Sequence, residues 1–144
     1  IMLAIIFLIF IKSNPSFYKG AAIPLLAIGI IQCTVGFTVY ARSGKQMKDV
    51  AYNLGIEPAQ YARQTELPRM NHVMKNFVTY RWTEIAFIVI GVALVLLFRS
   101  NPARAFWYGF GLTLAIQAAI MLGADYFAEQ RGRVYTEALG TIAG

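Results

Sequence analysis

Three ionisable side chains beside long apolar stretches are the strongest candidates for chemistry: Arg81, Glu84 and Asp125. Arg81 and Glu84 stand three residues apart, so they share one face of a helix, and Asp125 follows the last long apolar stretch. Ionisable side chains in membranes usually pair with one another, and they often mark functional sites. This membrane-edge ionic cluster could bind a cation or move a proton, but we favour the structural alternative, an ion-paired helix end.

Two glutamines, Gln32 and Gln117, stand near the middle of apolar stretches. A primary amide in hydrocarbon is unfavourable unless it is hydrogen-bonded, and an amide can both donate and accept. The sequence therefore predicts an intramembrane polar pair, Gln32 with Gln117, that joins two helices. The alternative is that the two glutamines form a polar binding position along the transport path of a solute, with Cys33, Thr34 and Thr113 as neighbours.

The composition points to a membrane protein. Hydrophobic residues make up 58% of the 144 residues and charged residues 14%, whereas soluble domains average about 45–50% and about 25%. A soluble chain of this size could not bury so much apolar surface, which argues against a soluble enzyme and a disordered regulator. The lone Cys33 closes no intrachain disulfide and builds no thiolate metal site.

Charge-free stretches predict where the chain crosses the membrane, because a bilayer core needs about 20 helical residues. The prediction is an all-α integral membrane four-helix bundle that forms a single transmembrane domain. Its spans cover about 1–12, 20–41, 81–98 and 105–127. The first span is short, and the chain begins with Ile1, so we expect further residues upstream. The alternative for 1–11 is the remnant of a signal peptide.

A Ser-Asn-Pro turn occurs twice, at 13–15 and at 100–102, each time after a basic residue. An aromatic-containing stretch and an apolar helix with one central glutamine follow each turn. This resemblance predicts a duplication, with two helical hairpins as parallel repeats, because two crossings separate the turns. The alternative is convergence, since Asn and Pro both favour turns.

The distribution of Lys and Arg predicts the orientation. Most of the 13 basic residues lie in the segment 42–80 and the tail 128–144. By the positive-inside rule, the long loop and the C-terminus are cytoplasmic in a bacterial inner membrane. Apolar residues at helical spacing in 42–80 predict cytoplasmic interfacial helices. Their basic flanks fit anionic lipid, and the alternative is that these helices pack on each other.

Small residues recur every fourth position in the last span, which is typical of close helix packing. This predicted helix-packing seam consists of Gly111, Ala115, Ala119 and Gly123. It could serve contacts within the bundle or between protomers.

No residue pattern indicates a metal or a cofactor. His72 stands between Met70 and Met74, but residues two apart point to different faces of a helix, so the three do not converge. Phosphate-binding loops and nucleophile motifs are missing from the sequence. The basic character reflects orientation in the membrane and indicates no nucleic-acid partner.

These observations favour a small non-enzymatic membrane protein, either of the channel or transport type or an accessory subunit of a membrane complex. Membrane lipids are the expected partners, together with a second copy of the chain or the subunits of a larger complex. The alternative is a membrane-embedded enzyme that acts on a lipid-soluble substrate at the cytoplasmic face. Its catalytic groups would be Arg81, Glu84, Asp125 and His72, gathered in one cavity.

Overall fold

The computed structural model of the chain describes residues 5–6 and 15–144. This described part is 96% helical and has no strands, so the prediction of an all-α chain is confirmed. The elements follow in the order α1 (Pro15–Ile56), α2 (Pro58–Tyr61), a π-helical turn (Ala62–Glu66), α3 (Leu67–Phe98), a 3-10 turn (Pro102–Arg104) and α4 (Ala105–Ala143).

Three helical stretches are long and apolar enough to cross a membrane: Pro15–Ile56, Pro58–Phe98 and Pro102–Ala143. They confirm the prediction of a membrane protein with transmembrane helices. The span predicted over 1–12 lies outside the described residues, apart from residues 5 and 6, which are helical. The four-helix bundle therefore stays a prediction.

The helices extend well beyond the predicted spans. α1 passes through Gly44 without a break and ends only at Ile56, so 42–56 prolongs a spanning helix and is not a separate interfacial one. A single glycine weakens a helix by only about 1 kcal/mol, so Gly44 does not end α1. The helix ends at Ile56, two residues before Pro58, because a proline disfavours helical geometry in the residue that precedes it. α3 likewise runs from the loop segment directly into the span, as a single helix.

The second Ser-Asn-Pro sequence forms the turn between α3 and α4. The side chain of Asn101 accepts a hydrogen bond from the Ala103 amide at 3.1 Å, and Pro102 begins the 3-10 turn. The Arg104 guanidinium lies 5.5 Å from the centroid of the Phe98 ring. Asn as a cap and Pro in the first helical turn are the expected chemistry for ending one helix and starting the next.

The chain divides into two compact units, and each contains stretches of α1, α3 and α4. The first unit is drawn from Ile1–Val35 and Trp82–Leu122, and the second from Gly36–Arg81 and Gly123–Gly144. The first unit holds most of the charge-free sequence. The single transmembrane domain predicted from the sequence stays a prediction.

The second unit has a small apolar core of its own. Leu139 is 1% exposed and packs in a cluster with buried residues of the π-helical turn, α3 and the end of α4. The other buried members are Ala62, Met70 and Ala143, with Leu54, Leu67 and Tyr135 packed against them. The stripe of apolar residues predicted in the loop segment thus packs within the protein at Leu54 and Met70.

Candidate functional site

The carboxylate that Arg81 contacts is Glu129, which the sequence analysis missed. Glu129 is 5% exposed and accepts hydrogen bonds from two guanidinium groups, Arg81 on one oxygen and Arg133 at 2.8 Å on the other. These two contacts, Arg81 first, lower the pKa of the Glu129 carboxyl below its usual range. The spacing of Glu129 and Arg133, four residues apart on one helix face, was the available sequence signal.

The predicted ionic cluster is divided between the two units. Glu84 is 3% exposed in the first unit, while Arg81 and Asp125 belong to the second. Asp125 is partly exposed, and no ion pair joins it to Arg81 in the described part of the chain. The cluster of Arg81, Glu84 and Asp125 remains a prediction, and the observed ionic contact of Arg81 lies one helical turn beyond Asp125.

The two glutamines have different surroundings. Gln32 is exposed on α1, whereas Gln117 is partly buried on α4. The Oε1 atom of Gln117 is buried and accepts no hydrogen bond within residues 15–144. No hydrogen bond joins Gln32 to Gln117 within that range either, so their predicted pairing remains a prediction.

The predicted packing seam divides into two halves. A Cβ atom on Gly91 of α3 would lie 2.7 Å from the Gly111 carbonyl oxygen and 2.8 Å from the Ala115 Cβ. Real Cβ atoms essentially never approach so closely, so only glycine fits at Gly91. In the second half of the seam, Ala119 is exposed, and a Cβ on Gly123 would contact nothing within 4 Å.

The first turns of α1 and α4 meet through a reciprocal contact. A Cβ on Gly20 would collide with the Phe106 carbonyl oxygen, and a Cβ on Gly109 would collide with the Phe17 carbonyl oxygen. The rings of Phe17 and Tyr108 lie 5.8 Å apart at the same place. Each partner thus supplies a Phe-x-x-Gly sequence, in the stretch that follows its Ser-Asn-Pro turn.

A second polar group lies in the second unit, around the π-helical turn. Glu66 is 1% exposed and accepts a hydrogen bond from the Arg69 Nε at 2.8 Å and one from the Tyr135 hydroxyl at 2.9 Å. The Arg69 guanidinium lowers the pKa of the Glu66 carboxyl below 4.5. Burial, and then the bond to Glu66, raises the pKa of Tyr135 to about 12. Beside this group, Arg63 donates to the Ala143 carbonyl at 2.8 Å.

Helix packing separates His72 from its two neighbouring methionines. His72 is exposed. A Cβ on Gly132 of α4 would lie 3.1 Å from the Met74 sulfur and 3.8 Å from the Met70 methyl carbon. Both methionines therefore pack against α4. Over the described residues, no group of three His, Cys, Asp or Glu side chains could hold a metal ion.

No protein-family model matches the sequence, and no curated protein or solved structure is significantly similar to it.

Proposed function

We propose that this chain is a non-enzymatic membrane subunit that associates with a second copy of itself through the middle of α1. The observation that carries the proposal is the exposed position of Gln32. The residues around it, from Ile30 to Val35, are also exposed. Six successive residues cover more than one full helical turn, so α1 is exposed around its whole circumference there.

A membrane interior makes this exposure unfavourable for Gln32 but not for its neighbours. Ile31 and Val35, exposed to 60% and 55%, are suited to lipid tails. An amide is not, and interhelical hydrogen bonds in membranes stabilise association by roughly 0.6–2 kcal/mol. A glutamine amide donates and accepts, so the Gln32 side chains of two copies complement each other about a twofold axis.

The enzyme alternative has less support. It requires Arg81 and His72 in one cavity with two acids, but Arg81 is engaged by Glu129 and His72 is exposed. A solute path through the two glutamines requires both amides to line a common lumen. The contrast between exposed Gln32 and partly buried Gln117 argues against that arrangement.

We further propose that the protein lies in a bacterial inner membrane as two parallel helical hairpins, with its long loop and C-terminus in the cytoplasm. The reciprocal contact of Gly20 and Gly109 supports a duplication within the chain. Each glycine lies against the phenylalanine of the other repeat. The helical stretches Pro15–Ile56 and Pro102–Ala143 are also equal in length, at 42 residues each. The Lys and Arg distribution supports the orientation.

Cys33 permits a direct test of self-association, because it is exposed and adjacent to Gln32. We expect mild oxidation of membranes to give a disulfide-linked dimer, and a dimeric mass in mild detergent. Cys33→Ser should abolish the cross-link but keep the dimeric mass. Gln32→Leu should weaken both, whereas Gln117→Leu, the matched loss of an amide on α4, should weaken neither. A monomeric mass and no cross-link would contradict the proposal.

A further inference from the structure

We propose that the second unit binds the phosphate group of an anionic phospholipid in a groove between α3 and α4. The groove has a volume of about 430 Å³. Its lining residues are Asn71, Met74, Lys75, Val78, Glu129 and Arg133. This inference does not depend on self-association through Gln32.

The charge in and around the groove is positive. Glu129 supplies one negative charge, and its carboxylate forms ion pairs with two guanidinium groups, those of Arg81 and Arg133. Lys75 is exposed, and no ion pair engages it in the described residues. Two arginines and a lysine around one carboxylate leave a net excess of positive charge, which favours binding of an anion.

The position of the groove along α3 matches the depth of lipid headgroups. The charge-free stretch 85–98 is too short to cross a bilayer core, which needs about 20 residues. If one boundary of the core lies at Phe98, the roughly 20 helical residues needed to cross it place the other boundary near Thr79. Val78 then lies at the edge of the hydrocarbon and Lys75 about one helical turn farther out, among the headgroups.

On α4 the groove residues also lie at the depth of the lipid headgroups, but they follow the membrane-crossing stretch, whereas those of α3 precede it. The charge-free stretch 105–124 is long enough to cross the core by itself. Glu129 and Arg133 follow it by about 8 and 14 Å along the helix. Both helices therefore place their groove residues just outside the core, where the phosphates of the lipids lie.

The groove combines apolar and polar groups in the way a phospholipid requires. Val78 and Met74 offer apolar contact to the glycerol and the first methylene groups of a chain. Lys75 and Arg133 offer charged donors, and Asn71 offers an amide, to the phosphate oxygens. The lipid must be anionic, since a zwitterionic headgroup brings its own positive charge to the excess already there.

The test is a lipid titration of the full-length chain in detergent, followed by native mass spectrometry. We expect phosphatidylglycerol to bind more tightly than phosphatidylcholine. Lys75→Gln and Arg133→Gln should each weaken phosphatidylglycerol binding about fivefold, the effect of roughly one surface charge. Lys75→Arg should keep the parent affinity.

Arg131→Gln is the matched control, since Arg131 is exposed on α4 and does not line the groove; it should keep the parent affinity. An equal loss in Arg131→Gln, or no preference for phosphatidylglycerol, would overturn the proposal. If inorganic phosphate displaced the lipid at a similar concentration, the groove would bind free phosphate rather than a phospholipid, which would contradict the proposal. If Arg133→Gln fails to fold, Lys75→Gln still tests the proposal, because Lys75 is exposed and its substitution should not affect folding.

Discussion

Each of the two units is stabilised internally by a different kind of contact. In the first unit, helices approach through glycines, as at Gly91 and Gly111, where a single added Cβ would collide with backbone. In the second unit, ionic and hydrogen-bonded groups around Glu66 and Glu129 join helical segments. The first unit contains most of the charge-free sequence, and the second contains most of the charged residues.

The two kinds of contact differ because the charge-free sequence of the first unit is suited to lipid tails and the charged sequence of the second unit is suited to water. Lipid tails are as apolar as leucine, so burying apolar side chains gives no advantage within a membrane. Close backbone packing and weak Cα–H···O contacts stabilise helices there. The proposed topology places the second unit outside the core, where water would drive the burial of apolar side chains such as Leu139 and would solvate the edges of ionic groups. The three long helices thus use one packing chemistry in one unit and another in the next.

The largest expected effect comes from filling a close contact of the first unit. Gly91→Leu should lower the free energy of unfolding by about 3 kcal/mol, since the added side chain must displace the Gly111 backbone. The measurement is unfolding with a denaturing detergent. Gly123→Leu is the control and should not lower the free energy of unfolding, because nothing lies near its Cβ position and leucine favours a helix more than glycine does. Equal losses in both variants would show that the packing contact is unimportant.

A smaller loss is expected for the polar group of the second unit. Glu66→Gln should lower the free energy of unfolding by about 2 kcal/mol, because the buried bonds to Arg69 and Tyr135 lose their charged acceptor. Glu137→Gln, an exposed carboxylate on α4, should change it little. A Glu66→Gln variant as stable as the parent would mean that the hydrogen bonds of Glu66 do not stabilise this unit.

The acid dependence of stability should come from the second unit. The folded-state pKa of Glu66 lies below its ordinary value of 4.5. Its stabilising contribution is therefore complete above that value and is lost as pH falls through the lowered folded pKa. Unfolding measured from neutral pH to below pH 4 should show this loss in the parent chain. The profile of Glu66→Gln should be flatter, and identical profiles would contradict the assignment.

The smallest expected effect concerns the two glutamines. The described residues contain no hydrogen bond between Gln32 and Gln117, so Gln32→Leu and Gln117→Leu should have additive effects within about 0.5 kcal/mol. Unfolding of the two single variants and the double variant, in a detergent that keeps the chain monomeric, checks this. A double variant that loses clearly less than the sum would restore the Gln32–Gln117 pair.

The sequence predicted three long apolar helices that the structure contains, because a bilayer core needs about 20 helical residues and long charge-free stretches indicate them. It predicted Gly111 and Ala115 as packing residues from their spacing, but it did not indicate where the seam ends. Their partner Gly91 is a lone glycine in an apolar stretch, and spacing on one helix says nothing about the helix opposite.

The ionic contacts were harder to predict. The sequence placed Arg81 with Glu84 by their three-residue spacing and with Asp125 by its similar depth beside an apolar stretch. The observed partner, Glu129, stands one turn farther along α4, and a long arginine side chain reaches it. The Glu66–Tyr135 bond joins residues 69 positions apart. No local pattern marks such a pair.

The most direct test of the account is the side of the membrane from which single cysteines can be labelled. In a Cys33→Ala background, Ser43→Cys and Glu137→Cys lie in the second unit, and Ser100→Cys lies in the turn between α3 and α4. An impermeant maleimide should label Ser100→Cys from outside the cell, and the other two only from the cytoplasmic side. Labelling of Ser43→Cys and Ser100→Cys from the same side would contradict a membrane crossing between them.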